Sequence, residues 1–409
     1  MKKEINRWAV LIASMGVLLC TGAVYAFSVF AGPLSTTQGW SMSEVMMAFT
    51  INAAIGPIPT ILGGIMTDKG KATWAILIGG LLFGVGFMLT GFATTPAMLY
   101  FTYGILAGLG QGFAYSGCLS NTIRLFPDKR GLASGLITAG MGGATIIAAP
   151  VANWLIQGSG VLNAFKVMGI AYIVVVIICS LFIRVAPAGY APKGFVAAQG
   201  GQAAPVVNVP WTGMIRTVTF YLILLMLGIG AFSGLMIASN ASLIGQNMFG
   251  LSAAAAAGYV SIYSLSNCLG RVVWGAVSDR LGRANTLMII YAVIAISLFA
   301  LVVFESVAGF ALGIIGLGLC FGGTMGVFPP LVMGNFGPKN QGVNYGIVFI
   351  GYSTAAFFAP KLAVQMAGQN GGDFTQAFYI AIVLAAVGLI LDIVYKSREK
   401  SKSVQKELA

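Results

Sequence analysis

The sequence predicts an all-α membrane protein with twelve transmembrane helices in two pseudo-symmetric halves of six. Three observations carry that reading. Hydrophobic residues fill 58% of the 409 positions and charged residues only 8%, against roughly 25% charged in globular chains. The apolar runs last about twenty residues or more, the length a helix needs to cross the hydrocarbon core, and the alternating ten-residue pattern of barrel strands is absent. Turn motifs of the first half recur in the second. The 56 glycines and the mean hydropathy of +0.92 fit the same class, since small residues let helices approach closely in lipid.

Splitting the chain at charged or Pro/Gly turns places spans at 8–34, 43–66, 73–95, 97–124, 131–156, 163–185, 214–244, 253–277, 284–304, 307–334, 342–368 and 374–395. The first span follows Lys2, Lys3 and Arg7 and runs on from Trp8 without a small-residue cleavage site, so it reads as a retained helix and not a removed signal peptide. Lys69 and Lys71 separate spans two and three; Arg124, Lys129 and Arg130 lie between four and five; Arg184 closes six. Residues 186–213, rich in Ala, Gly, Pro and Val, read as a cytoplasmic linker between halves 1–185 and 214–396, and Lys193 and Arg216 lie in or beside it. Arg280 and Arg283 follow span eight, Lys339 precedes eleven, and a basic tail occupies 397–409. With both termini in the cytoplasm, all these basic residues fall inside, while the outer loops carry only the acids Glu44, Glu305 and Asp373. The net charge of +12 is therefore topology in a plasma-type (inner) membrane, and does not imply a nucleic-acid partner.

Composition also bounds the chemistry. There is no histidine, so His-based triads, His metal sites and a His proton shuttle are excluded. No phosphate-binding G-x-x-x-x-G-K-[ST] loop is present. The five cysteines, Cys20, Cys118, Cys179, Cys268 and Cys320, lie in apolar runs without paired spacing and read as buried thiols. The expectation is no enzyme and no cofactor.

One residue stands out. Arg271 is a permanent cation inside a long apolar stretch that holds no acid, which costs at least ~2.5–3.5 kcal/mol on insertion scales. Tyr263, Ser264, Asn267 and Arg271 share one helical face at i, i+1, i+4 and i+8. The guanidinium fork can donate two parallel hydrogen bonds to a carboxylate, so Arg271 reads as the anchor of an anionic substrate; the other reading is a tie to backbone carbonyls or a tyrosine. Tyr115 and Gln111 in span four, Tyr25 in span one, Asn52 in span two, Phe321 in span ten and Tyr352 in span eleven are further substrate-binding candidates, or ordinary interhelical contacts. Lys166 lies near the outer end of span six and snorkels to headgroups; Lys361 either lines an outer vestibule or snorkels as well.

The internal repeat is explicit. Gly64-Ile-Met-Thr-Asp68-Lys69-Gly70-Lys71 after span two matches Gly275-Ala-Val-Ser-Asp279-Arg280-Leu-Gly282-Arg283 after span eight, and Phe126 before span five matches Phe336 before span eleven. Twelve spans, a central linker and paired G-x-x-x-D-[RK]-x-G loops, the second fitting fully and the first one residue short between Asp68 and Gly70, resemble the major facilitator superfamily. The stretch from Phe126 to Gly135 and the placement of Arg271 in Asn267-Cys-Leu-Gly270-Arg271 are similar to the monocarboxylate transporter and oxalate–formate antiporter group. That resemblance implies transport of a small carboxylate anion across the lipid bilayer, of the lactate or pyruvate type, by proton symport or by exchange. It also implies that Asp68, Lys69, Asp279, Arg280 and Arg130 act in gating, as a latch that holds the outward-open state.

The chain departs from that group at three positions. Asn267 stands where an aspartate is usual in animal monocarboxylate transporters, Val29 where a lysine is, and Tyr352 where the oxalate antiporter has a second cation. One site cation suits a singly charged anion. The only acids inside span limits, Glu44 and Asp392, are placed at span ends, so the proton either rides on the substrate as the neutral acid or is absent. A sensor on the same fold would need an extended cytoplasmic domain, and a cation or drug exporter a membrane-embedded carboxylate.

Overall fold

The computed structural model describes residues 5–192 and 208–407, with backbone alone from 400 onward; most of the expected linker lies outside the described residues. Among the described residues all regular structure is helical, and it resolves into twelve long segments. These are α1 (Arg7–Gln38), α2 (Met42–Ile55 and Pro57–Asp68), α3 (Ala72–Thr90), α4 (Pro96–Leu99, Tyr100–Ala107 and Gly108–Leu125), α5 (Arg130–Ser159) and α6 (Val161–Phe182). Then follow α7 (Val218–Phe249), α8 (Ala253–Leu281), α9 (Arg283–Val303), α10 (Val307–Phe336), α11 (Gln341–Gln369) and α12 (Thr375–Glu407).

By length and apolar composition nine of these could cross a membrane, and α2 makes ten when its two parts, bent by 40°, are taken together. The bend falls at Gly56-Pro57, where proline removes a helical hydrogen bond. The two that miss the apolar criterion are α4 and α8. Gln111 and Tyr115 lie on the first of these and Asn267 and Arg271 on the second.

The chain forms two compact units: Met1–Trp211 with Val332–Ile347, and Thr212–Leu331 with Val348–Ala409. The division expected from sequence, 1–185 and 214–396, follows covalent order; the last turns of α10 and the start of α11 instead belong with the first unit. Backbone contact explains it. A Cβ on Gly342 would lie 2.6 Å from Cα of Gly64 on α2, and one on Gly346 3.1 Å from Ile61, so only glycine lets the start of α11 rest on α2.

An aromatic cluster fills the first unit, with Phe30 stacked on Phe165 at 4.3 Å and Phe27 against Tyr103 at 4.3 Å. Burial in lipid offers little hydrophobic drive between helices, so ring packing and close backbone approach hold them together. Large apolar side chains such as Ile12, Trp154 and Leu312 point outward, as helices solvated by acyl chains require. In the second unit α9 packs along α12 and α7 along α11, and the Tyr291 hydroxyl of α9 donates to the Met226 carbonyl of α7 at 2.7 Å.

Candidate functional site

α8 starts at Ser252, whose hydroxyl accepts from Ala255 N–H, and runs unbroken through Arg271. Two stripes on opposite faces, each with its residues about one turn apart, define its orientation. Tyr263, Asn267 and Arg271 are 3%, 6% and 6% exposed, whereas Leu265, Leu269 and Val273 are about half exposed. Helical periodicity thus aims the polar stripe inward and the aliphatic one outward. On the buried side α8 meets α10 at backbone contact: a Cβ on Gly322 would fall 2.0 Å from the Asn267 carbonyl oxygen, and one on Gly270 2.1 Å from that of Leu319. Glycine is therefore required at both positions, and the pairing fixes the height and rotation of Arg271.

Within the stripe, Arg271 Nε donates to Asn267 Oδ1 at 3.0 Å. That bond orients the amide, and Asn267 Nδ2 is left buried with no acceptor. Tyr263 is committed elsewhere, its hydroxyl donating to the Gly234 carbonyl of α7 at 2.5 Å, and Ser264 bonds back to Val260 at 3.0 Å. Tyr352 lies in a ring stack, 4.5 Å from Phe349 and 6.5 Å from Phe321, nearly parallel to both. Sequence reading named Phe321 and Tyr352 but not Phe349, which is one turn before Tyr352.

In the first unit, Tyr115 is buried with its hydroxyl 3.4 Å from that of Tyr345. Tyr345 was not singled out from sequence; it comes to Tyr115 only because the start of α11 packs here. Gln111 is half buried and Tyr25 is exposed, and neither makes a side-chain hydrogen bond in the structure. Asn52 donates to the Tyr103 carbonyl at 3.1 Å, an interhelical tie that uses its donor within the fold. Thr60, the repeat counterpart of Arg271, bonds back to Gly56 at 2.8 Å.

The loop after α2 is a built junction. Asp68 accepts from Gly342 N–H at 2.9 Å and Val343 N–H at 3.0 Å, capping the N-terminus of α11. Its cation is Arg124 of α4, which also donates to the Pro338 carbonyl at 2.9 Å. Lys69, its expected neighbour in the latch, is exposed and makes no side-chain bond in the structure. In the second copy Asp279 meets Arg283 at 3.8 Å, one turn along its own chain, and Arg280 is exposed. Arg130 opens α5, half buried. Arg7, read from sequence as a topology charge, pairs with Asp128 through two bonds of 2.5 and 3.1 Å and covers the Phe126 ring. Lys166 and Lys361 each sit over an exposed phenylalanine, Phe92 at 4.3 Å and Phe357 at 3.6 Å.

Twelve long helices, nine or ten of them apolar enough to cross a membrane, define a polytopic membrane protein of the transporter class. The chain belongs to the Major Facilitator Superfamily, whose profile matches residues 13–360. It is a transporter and not an enzyme. The oxalate:formate antiporter of Oxalobacter formigenes is 29% identical over 398 residues, covering 94% of this chain and 90% of that one. Monocarboxylate transporter 13 of Bos taurus is 24% identical, covering 94% and 88%. Among solved structures, the proton:xylose symporter XylE superposes with a TM-score of 0.73 at 14% identity, covering 94% of each chain, and the transporter FucP in its outward conformation with 0.66 at 15%, covering 94% and 99%. At such identity these two share the fold alone. The likeness read from the loop motifs and from the surroundings of Arg271 thus points to the family and relatives found by whole-chain comparison.

Proposed function

We propose that this transporter carries small monocarboxylates of the lactate or pyruvate type, by alternating access and with a proton, using Arg271 as the anchor. The observation that carries the reading is the Asn267 amide. Its oxygen is taken by Arg271, so its Nδ2 donor and the guanidinium lie together on one buried face, a donor set matched to a carboxylate. The Tyr352 ring stack supplies a flat apolar wall beside a small ligand. Tyr115, Gln111, Tyr25 and Asn52 are proposed as further substrate-binding residues. A second reading, carboxylate exchange, is favoured by the oxalate:formate antiporter's being 29% identical over nearly the whole chain. The basic loops support an inner-membrane orientation with both termini cytoplasmic. Asp68, Arg124, Asp279, Arg280, Lys69 and Arg130 are proposed to set switching rates rather than substrate choice.

The deciding experiment is uptake in proteoliposomes, with lactate, acetate and oxalate compared under imposed pH and substrate gradients. Net lactate uptake driven by an inward proton gradient at clamped potential supports symport; uptake that ignores the gradient and requires internal carboxylate leaves exchange. Counterflow alone does not separate them, because symporters exchange too.

Two predictions arise here. Oxalate should be taken up at least tenfold less well than lactate, because its second carboxylate would lie beside Tyr352 without a cation, a cost of more than ~1.4 kcal/mol. Equal uptake of the two anions by competition assay would overturn the single-cation argument. Asn267→Asp should change how lactate uptake depends on external pH, since it sets a titratable acid one turn from Arg271. It should also weaken binding, as the new carboxylate competes with substrate for the guanidinium. A pH profile and affinity identical to wild type would mean Asn267 does not face the ligand.

A further inference from the structure

Asp392 was placed by sequence at the end of the last span, but α12 continues past it to Glu407. The residue is 0% exposed, and neither carboxylate oxygen accepts a hydrogen bond from any described residue. Its surroundings are tight. One turn earlier, a Cβ on Gly388 would fall 2.8 Å from the Tyr291 ring of α9 and 3.0 Å from Ile229 of α7.

The charged and titratable groups on the packed elements are few, and most are engaged elsewhere. On α12 itself, Lys396 follows one turn on, but its Nζ donates to Asn285 Oδ1 at 2.7 Å; Tyr395 and Glu399 are the others nearby. From α9 come Tyr291, whose hydroxyl is spent on Met226, and Arg283, whose guanidinium lies 3.8 Å from Asp279. The N-terminal half of α7 offers Tyr221, which is exposed. From α11 come Tyr352, stacked on Phe349, and Lys361, exposed over Phe357.

A carboxylate that is shut off from solvent and receives no donor is far costlier ionised than neutral. We propose that Asp392 is a proton-binding site of the second unit, loaded in this conformation and emptied only when the α9–α12 contact opens to water. Proton release there loosens α12 from α9, so the site makes the packing of this unit pH-sensitive, whichever anion is carried. It also supplies a titratable group that sequence reading, having placed Asp392 at a span end, left out of the proton question.

The test uses purified full-length protein without substrate. Infrared difference spectra of wild type against Asp392→Asn at neutral pH should show the carbonyl stretch of a protonated carboxylic acid in wild type only. Asp392→Glu should shift that band rather than remove it, which keeps the test open if the Asn variant does not accumulate. Melting temperature supplies the second readout. The folded state holds a proton that the unfolded chain has lost, so wild type should lose stability relative to Asp392→Asn as pH rises from about 5 to about 8. Absence of the acid band in wild type, or wild-type and Asn melting curves that stay parallel over that range, overturns the proposal.

Discussion

Arg271→Ala should abolish carboxylate binding while leaving insertion and folding intact. The variant loses two charge-assisted hydrogen bonds, each worth ~1.5–3 kcal/mol, so affinity should fall by about two to four orders of magnitude. Insertion becomes easier, since the mid-helix cation costs at least ~2.5–3.5 kcal/mol. Arg271→Lys should recover little, because an ammonium cannot present the planar fork that binds both oxygens. The check is a ligand-induced thermal shift with lactate on purified protein. Arg271→Ala should melt near the wild-type temperature without ligand and show no shift with it. Wild-type affinity in the Ala variant would remove Arg271 from the site and leave it as a tie within α8.

The second large effect concerns the ion pair at the first copy of the loop motif. Arg124→Ala should destabilise the protein by about 3 kcal/mol, the lower end for removing one partner of a buried ion pair, since the Arg124 and Asp68 side chains are 14% and 8% exposed. It leaves Asp68 facing only the α11 N-terminus and frees the Pro338 carbonyl. Thermal unfolding of Arg124→Ala and Asp68→Ala, with the double-mutant cycle between them, measures the coupling. Arg124→Ala should also change transport turnover at nearly unchanged lactate affinity, because Arg124 spends its donors on Thr67, Asp68, Pro338 and Lys339. A loss under ~1 kcal/mol for Arg124→Ala, the range of an exposed pair, would refute the buried junction.

Helix number and the candidate anchor were readable because both rest on local spacing. A run of about twenty apolar residues has few alternatives in lipid, and the inward face of α8 follows from residues three and four apart along one helix, which is why Asn267 and Arg271 were found together. The internal repeat matched Asp68 to Asp279 by position along the chain, though the structure puts Asp279 inside α8. What repetition could not reveal is that their surroundings differ. Arg124 lies 56 residues from Asp68, and Gly342 lies 274 away; no periodicity links them, and the pairing exists only because glycines at 64 and 342 let two helices touch. Tyr345 reaches Tyr115 across 230 positions for the same reason, and the segment Val332–Ile347 joins the first unit against covalent order. The orientation of the Asn267 amide depends on which of its two ends Arg271 takes, and the burial of Asp392 on α9 and α7 beside it. Hydropathy and spacing act through the solvent and the nearest turns, and so can be read along the chain; partners chosen by close packing exist only once the helices are in contact.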